Sequence, residues 1–255
     1  MTDLTYRIVN RIFRAMFRVL GLRIDVVGAH HIPATGPAVI ACNHTGFLDF
    51  PFVGLAAAHQ ARLVRFMAKR SVFDNRLAGP LMRRMGHIRV DRTCGAVAYR
   101  QAERAVRRGE VVGVFPEATI SRAWTLKPFK LGAATLAVKE GVPLVPVIVW
   151  GAHRILTTDG HRARHRGIAV TVLVGEPIEA GAGDGIAGAG VAQVDAELRR
   201  RMQDLLDEAQ LGYPAKPRDA EGAWWLPAHL GGSAPSPEVA AELDTRGVDR
   251  VDGRR

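Results

Sequence analysis

From residue 24 onward, short runs dense in aliphatic and β-branched residues alternate with longer stretches whose apolar positions recur every three or four residues. The runs at 24–27, 38–42, 63–67, 87–90, 111–115, 144–150 and 168–174 predict strands. Helical spacing fills 50–58, 76–85, 96–108 and 131–140, and a more charged helix is expected over 191–210. Strand and helix alternating in this way predict an α/β fold, with a mostly parallel central sheet flanked by helices. In such sheets ligands bind beyond the carboxyl ends of the strands.

The first twenty residues follow another pattern. Ile8, Val9, Ile12, Phe13, Met16, Phe17 and Leu20 recur at helical spacing, while Arg7, Arg11, Arg14 and Arg18 form a cationic face. A basic amphipathic helix over 1–23 is therefore expected, suited to lying in a membrane interface. The plainer alternative is a terminal helix that packs its apolar stripe on the core. The arginines interrupt any signal-peptide core, and no uncharged apolar stretch approaches the roughly 18 residues that span a bilayer. After Gly212 the prolines at 214, 217, 227, 235 and 237 and the pair Gly231-Gly232 predict an irregular tail over 213–255, solvated and disordered beyond about 240. Trp224-Trp225 within it is expected to dock on the domain or on lipid. The central domain then runs over 24–212.

Composition narrows the partners. With 35 Lys and Arg against 25 Asp and Glu, the formal net charge of +10 points to an anionic partner. No helix-turn-helix, zinc or RNA-stacking signature accompanies that charge, so nucleic acid is not expected. Cys42 and Cys94 form no CxxC or Cys/His cluster, so neither a metal site nor a disulfide framework is expected, and a reducing compartment is. No Gly-x-Ser-x-Gly elbow offers a hydrolase nucleophile.

Four blocks carry candidate chemistry. Asn43-His44-Thr45-Gly46-Phe47-Leu48-Asp49-Phe50 follows the apolar run 38–42. A histidine at a strand's carboxyl end, with a carboxylate five residues on, can serve as a general base whose tautomer the acid holds. The same residues also suit a surface His44 and an Asp49 that caps a helix ahead of Pro51. The second block, Gly86-His87-Ile88-Arg89-Val90-Asp91-Arg92, ends in Arg92, which can clamp a phosphate or pair with Asp91. The third is Phe115-Pro116-Glu117-Ala118-Thr119-Ile120-Ser121-Arg122, with Lys127 and Lys130 beyond it; a lone Glu117 is ordinarily solvated. The fourth, Val142-Pro143-Leu144-Val145-Pro146-Val147, holds a proline that cannot donate to a ladder, so an edge or irregular wall is expected there.

In this order the four blocks resemble the glycerophospholipid acyltransferase family, whose best-known members are 1-acylglycerol-3-phosphate acyltransferases. That family shows Asn-His-x-x-x-x-Asp, Gly-x-Ile-x-x-Asp-Arg, Phe-Pro-Glu-Gly-Thr-Arg-Ser and Val-Pro-x-x-Pro-Val, and the resemblance spans roughly residues 25 to 178. It implies that His44 and Asp49 are the catalytic pair. It further implies that Arg92, Glu117, Thr119, Arg122 and Lys127 bind substrate. The implied reaction moves a fatty acyl group from acyl-CoA or acyl-carrier protein to a lysophosphatidic-acid-like acceptor, with no cofactor and no metal; the alternative is the same chemistry on glycerol-3-phosphate, another lysophospholipid or a glycolipid. The expected partners are anionic membrane lipid, acyl-CoA and the acceptor, and the expected location is the cytoplasmic face of the cell membrane. Two positions depart from the pattern: Ala118 stands where the family has Gly, and Ile120 where it has Arg. Alanine tolerates a positive φ poorly, and an isoleucine supplies no charge.

Overall fold

The computed structural model of the chain describes residues 2–91, 95–160, 166–180, 187–217, 219 and 221–252. Seven strands form one sheet: β1 (Arg23–Val27), β2 (Ala38–Cys42), β3 (Val64–Lys69), β4 (Ile88–Val90), β5 (Val111–Val114), β6 (Leu144–Trp150) and β7 (Ala169–Val174). Their spatial order is β1-β7-β6-β2-β5-β3-β4. Every neighbouring pair is parallel except β6 with β7. The mostly parallel sheet expected from the alternating pattern is thus present. All seven expected runs become strands, with ends moved by a residue or two. His87 falls outside β4 because its ring nitrogen Nδ1 accepts the Phe66 N–H at 3.1 Å, which takes up the donor in place of a ladder bond.

Every residue of β2 and β6 is buried, as expected where helices cover both faces of a sheet. Alternate side chains divide between two cores. Val39, Ala41, Val112, Ile148 and Trp150 face α5 (Gly95–Arg107), α6 (Gly132–Glu140) and α7 (Ala187–Leu211). Ile40, Cys42, Val145, Val147 and Val149 face α1 (Thr2–Val19) and α2 (Asp49–Ala58). Pro146 lies in the interior of the sheet, so of the edge or irregular wall expected there the edge is not what is found. Its carbonyl accepts the Gly175 N–H at 2.9 Å, just past the end of β7, and β6–β7 pairing begins at Val147. The missing donor therefore faces a place where the partner strand has already stopped.

The N-terminal helix divides its apolar residues between two surroundings. Phe17 is buried and stacks on Phe52 of α2 with ring centroids 4.5 Å apart, and Phe13 meets Phe50 edge to face at 5.6 Å. Tyr6 is buried and donates to the Val64 carbonyl at 2.8 Å. Leu4, Ile8, Ile12 and Val19 form a second stripe that is exposed, beside the exposed Arg7, Arg11, Arg14 and Arg18. Part of the stripe expected to meet a membrane is therefore core packing. Among the described residues no helix is long and apolar enough to cross a membrane.

The helix expected over 76–85 is α4 (Ala78–Arg84); a short helix not expected from the sequence, α3 (Arg70–Asp74), precedes it, and between them the Asn75 side chain accepts the Leu77 and Ala78 N–H groups. The tail is more ordered than its composition suggests. It forms two short 3-10 turns, Glu221–Trp225 and Ala228–Leu230, and then α8 (Pro237–Asp252), so the solvated end expected beyond 240 is helical. Trp225 is buried, its carbonyl lies 2.9 Å from His153 Nε2, and the Arg154 guanidinium sits 4.2 Å over its ring. Of the two alternatives for the tryptophan pair, docking on the domain is the one observed.

Candidate active site

Two adjacent parallel strands, β2 and β5, deliver the site to the carboxyl edge of the sheet. β2 ends at Cys42 and the chain turns at once. The Asn43 side chain fixes that turn: its Nδ2 donates to the Val149 carbonyl at 3.1 Å, and its Oδ1 accepts the Val149 N–H at 2.7 Å. Asn43 thereby pairs with β6 as a backbone residue would. The following residues pack closely on the 3-10 turn Ala152–Arg154. A Cβ at position 46 would lie 3.0 Å from the His153 Cα, so Gly46 leaves room for that approach. Thr157 Oγ1 donates to the Thr45 carbonyl at 2.7 Å, and Phe47 N–H to the Leu156 carbonyl at 3.1 Å.

Asp49 opens α2 and is wholly buried. One of its oxygens, Oδ2, accepts the Thr45 and Gly46 N–H groups at 2.8 Å each and meets His44 Nδ1 at 2.9 Å. Two backbone donors on a buried carboxylate leave it an acceptor toward the ring, which assigns the proton to Nδ1 and leaves Nε2 bare. The imidazole is 23% exposed and stacks on Phe115 at 4.4 Å. A bare ring nitrogen open to solvent, on a ring that can neither rotate nor change tautomer freely, is the geometry of a general base. Asp49 is thus the first residue of α2 and not its cap, and its side chain turns back onto the histidine ring and the turn before it.

The third block closes around the same backbone. Glu117 is buried; its Oε1 accepts the His44 N–H at 2.8 Å and its Oε2 the Lys127 N–H at 3.0 Å. The solvated glutamate that a lone Glu suggests is instead a clamp joining the histidine turn to the segment after it. Burial pushes its carboxyl up to about 8, against the lowering effect of the two N–H donors. Ser121 N–H adds a 2.7 Å bond to the His44 carbonyl. Lys127 Nζ donates to Thr119 Oγ1 at 2.6 Å and pairs with Asp244 Oδ2, while Arg122 Nε donates to Asp244 Oδ1 at 2.9 Å.

His44, Asp49, Glu117, Thr119, Arg122 and Lys127 thus share one bonded assembly. Arg92 lies outside the described residues, and Asp91 pairs with Arg70 at 3.1 Å. Ala118 has φ +60°, the left-handed conformation for which glycine is suited, and Ile120 is buried. Position 120 therefore presents no arm to the site. Three contributors were not singled out from the sequence: Asn43, Phe115 and Asp244. The first two lie within or beside the recognised blocks; Asp244 carries no local signal.

Among the described residues no group of three or more His, Cys, Asp or Glu side chains is placed to hold a metal. A partly exposed histidine, its Nδ1 held by a buried carboxylate at the carboxyl edge of a parallel sheet, is an arrangement able to take a proton from a hydroxyl or water. The chain belongs to the Acyltransferase family, whose model matches residues 23–150. It is 31% identical over 161 residues to a chloroplastic 1-acyl-sn-glycerol-3-phosphate acyltransferase of Brassica napus, covering 61% of this chain and 45% of that protein. It is 29% identical over 163 residues to the 1-acyl-sn-glycerol-3-phosphate acyltransferase of Bacillus subtilis, covering 63% and 77%. The Mus musculus enzyme named alpha is 35% identical over 133 residues, 51% of this chain and 46% of its own. The chain thus spans about half the length of the plant and mouse relatives. The crystal structure of the 1-acyl-sn-glycerophosphate acyltransferase PlsC from Thermotoga maritima superposes with a TM-score of 0.65 at 20% identity, covering 84% of this chain and 83% of that one, so the two share a fold.

Two expected outcomes follow from this geometry. Between about pH 4.5 and 8 an unfolded Glu117 is ionised while the folded one keeps its proton, so the native state binds more protons and loses stability as pH rises through that window. Chemical denaturation at intervals from pH 5 to 9 should show this decline, and Glu117→Gln, with no proton to exchange, should show a shallower one. Ala118→Gly should raise stability by about 1 kcal/mol by relieving the Cβ strain at positive φ, read as a higher denaturation midpoint.

Proposed function

We propose that the protein transfers a fatty acyl group from acyl-CoA to the free hydroxyl of 1-acyl-glycerol-3-phosphate, giving phosphatidic acid. The observation that carries the reading is the His44–Asp49 pair, with Nδ1 bonded to Oδ2 at 2.9 Å and Nε2 left bare. The names of the relatives support the acceptor. His44 Nε2 takes the hydroxyl proton as the oxygen attacks the thioester carbonyl, and Asp49 offsets the charge that develops on the ring. The tetrahedral intermediate collapses with cleavage of the carbon–sulfur bond, and the imidazolium returns the proton to the departing thiolate. No acyl-enzyme and no cofactor take part.

The oxyanion needs donors. The Thr45 and Gly46 N–H groups are committed to Asp49, Ser121 N–H to His44 and Ala118 N–H to the Phe115 carbonyl. The backbone N–H groups of Thr119 and Ile120, which follow the left-handed Ala118, have no acceptor among the described residues and are the donors assigned here. Arg92, Arg122 and Lys127 supply positive charge for the acceptor's phosphate. Phe47 and Leu156, exposed and joined by the bond from Phe47 N–H, offer an apolar surface beside His44 for an acyl chain.

Membrane docking belongs to the same reading. The exposed stripe Leu4, Ile8, Ile12 and Val19 would enter the interface, with Arg7, Arg11, Arg14 and Arg18 toward anionic headgroups, each contributing about 1 kcal/mol near the surface. In this reading the enzyme works at the cytoplasmic face of the cell membrane.

The direct test is transfer from acyl-CoA to lysophosphatidic acid, glycerol 3-phosphate and lysophosphatidylinositol with product mass detection, in which lysophosphatidic acid should be the preferred acceptor. His44→Ala should lower that rate by roughly 10²–10⁴-fold in a protein with unchanged circular dichroism. Full activity in the folded variant would remove the assignment. For docking, Ile8→Ser with Ile12→Ser should release the protein from anionic liposomes in sedimentation while leaving its denaturation midpoint nearly unmoved, because neither side chain is buried. Retained sedimentation would transfer the anchoring to another surface.

A further inference from the structure

The two cations at the end of the third block are already occupied. Asp244, on α8, places one carboxylate oxygen 2.9 Å from Arg122 Nε and the other on Lys127 Nζ. All three side chains are between one-sixth and one-quarter exposed. Lys127 is steadied further by Thr119 Oγ1 at 2.6 Å. The pair is tied directly to the catalytic turn. The Lys127 N–H and the His44 N–H share the Glu117 carboxyl group, and Ser121, next to Arg122, donates to the His44 carbonyl. A carboxylate bridging a guanidinium and an ammonium makes the contacts that two oxygens of a phosphate would make.

We propose that Asp244 sits in the seat of the acceptor's phosphate, so that α8 is a built-in competitor which the acceptor must displace. The proposal rests on the acceptor reading above. The way α8 is held supports it. Of its side chains from Pro237 to Asp244, only Ala240 is buried, while Val239 and Leu243 are exposed. The segment before it is pinned through the buried Trp225. The helix is thus tethered firmly at its root and held at Asp244 by ion pairs. Tethering keeps the carboxylate at high effective concentration near the cations. A phosphate monoester, with a charge near −2 at neutral pH against −1 for the carboxylate, is the kind of ligand that can take its place.

In the full-length protein, Asp244→Asn should lower the KM for lysophosphatidic acid by about tenfold, as removal of a closed, incompetent state does, and leave the KM for acyl-CoA unchanged. Glu238→Gln, a charge change on the exposed face of the same helix, should move neither. In the wild type, glycerol 3-phosphate should increase amide hydrogen exchange across 237–252, and so should inorganic phosphate at higher concentration. An acceptor KM unchanged or raised in Asp244→Asn, with exchange across α8 unaffected by either probe, would overturn the competitor and leave acyl transfer standing. Release of α8 by both probes, in a protein that acylates no phosphorylated acceptor, would uphold the competitor and remove the acceptor reading instead.

Discussion

Everything at the carboxyl edge of the sheet depends on one oxygen atom. Oδ2 of Asp49 receives three donors, two from the backbone of the turn and one from the ring it orients. The carboxylate holds the turn together, and the turn supplies the donors that a wholly buried polar group needs. Folding of residues 43–49 and orientation of the imidazole are one event. Such coupling suits a group whose usefulness falls steeply with misalignment, since the reacting hydroxyl has to meet a nitrogen held within a few tenths of an ångström.

Around that oxygen the structure uses long-range bonds where local ones would leave freedom. Asn43 ties the turn to β6, Glu117 ties it to the backbone at Lys127, and Thr157 holds it from the far side. The three partners lie in β6, in the segment between β5 and β6, and in the segment between β6 and β7. A base mounted this way inherits the rigidity of the sheet itself, although it sits on a loop. Phe115 adds a flat apolar wall against the ring, which restricts rotation without spending a polar group.

Much of this was legible in the chain, and the reasons are local. The strands were readable because each is an apolar run bounded by turn residues, and the contact of His44 with Asp49 because both lie in one turn, five residues apart. What escaped depended on separation. Nothing near Pro146 says that β7 stops one residue before its missing donor would be needed. Glu117 looked solvated because its two backbone partners lie 73 and 10 residues away. The division of α1 into a packed and an open stripe was hidden because both stripes are equally apolar; only the site of Phe52 and Phe50 decides between them. The α8 helix was masked by the prolines and glycines that lead into it. The departures at 118 and 120 were visible at once, and their meaning was only half available. Ala118 keeps the backbone shape that glycine would take, whereas Ile120 turns inward.

The packing of α1 has a consequence for how the domain can move. An anchor joined by a loose linker lets the attached body tumble, so that its working face samples every direction. Here the helix that bears the open apolar stripe is bolted to α2 through Phe17 and Phe52 and to β3 through Tyr6. Whatever plane receives Leu4, Ile8 and Ile12 receives the whole body at one fixed tilt. The angle between that plane and the carboxyl edge of the sheet is then set by the helix's own screw, 100° per residue, and not by chance encounter. Orientation, ordinarily lost and regained at each collision, becomes a property written into the first five turns of the chain.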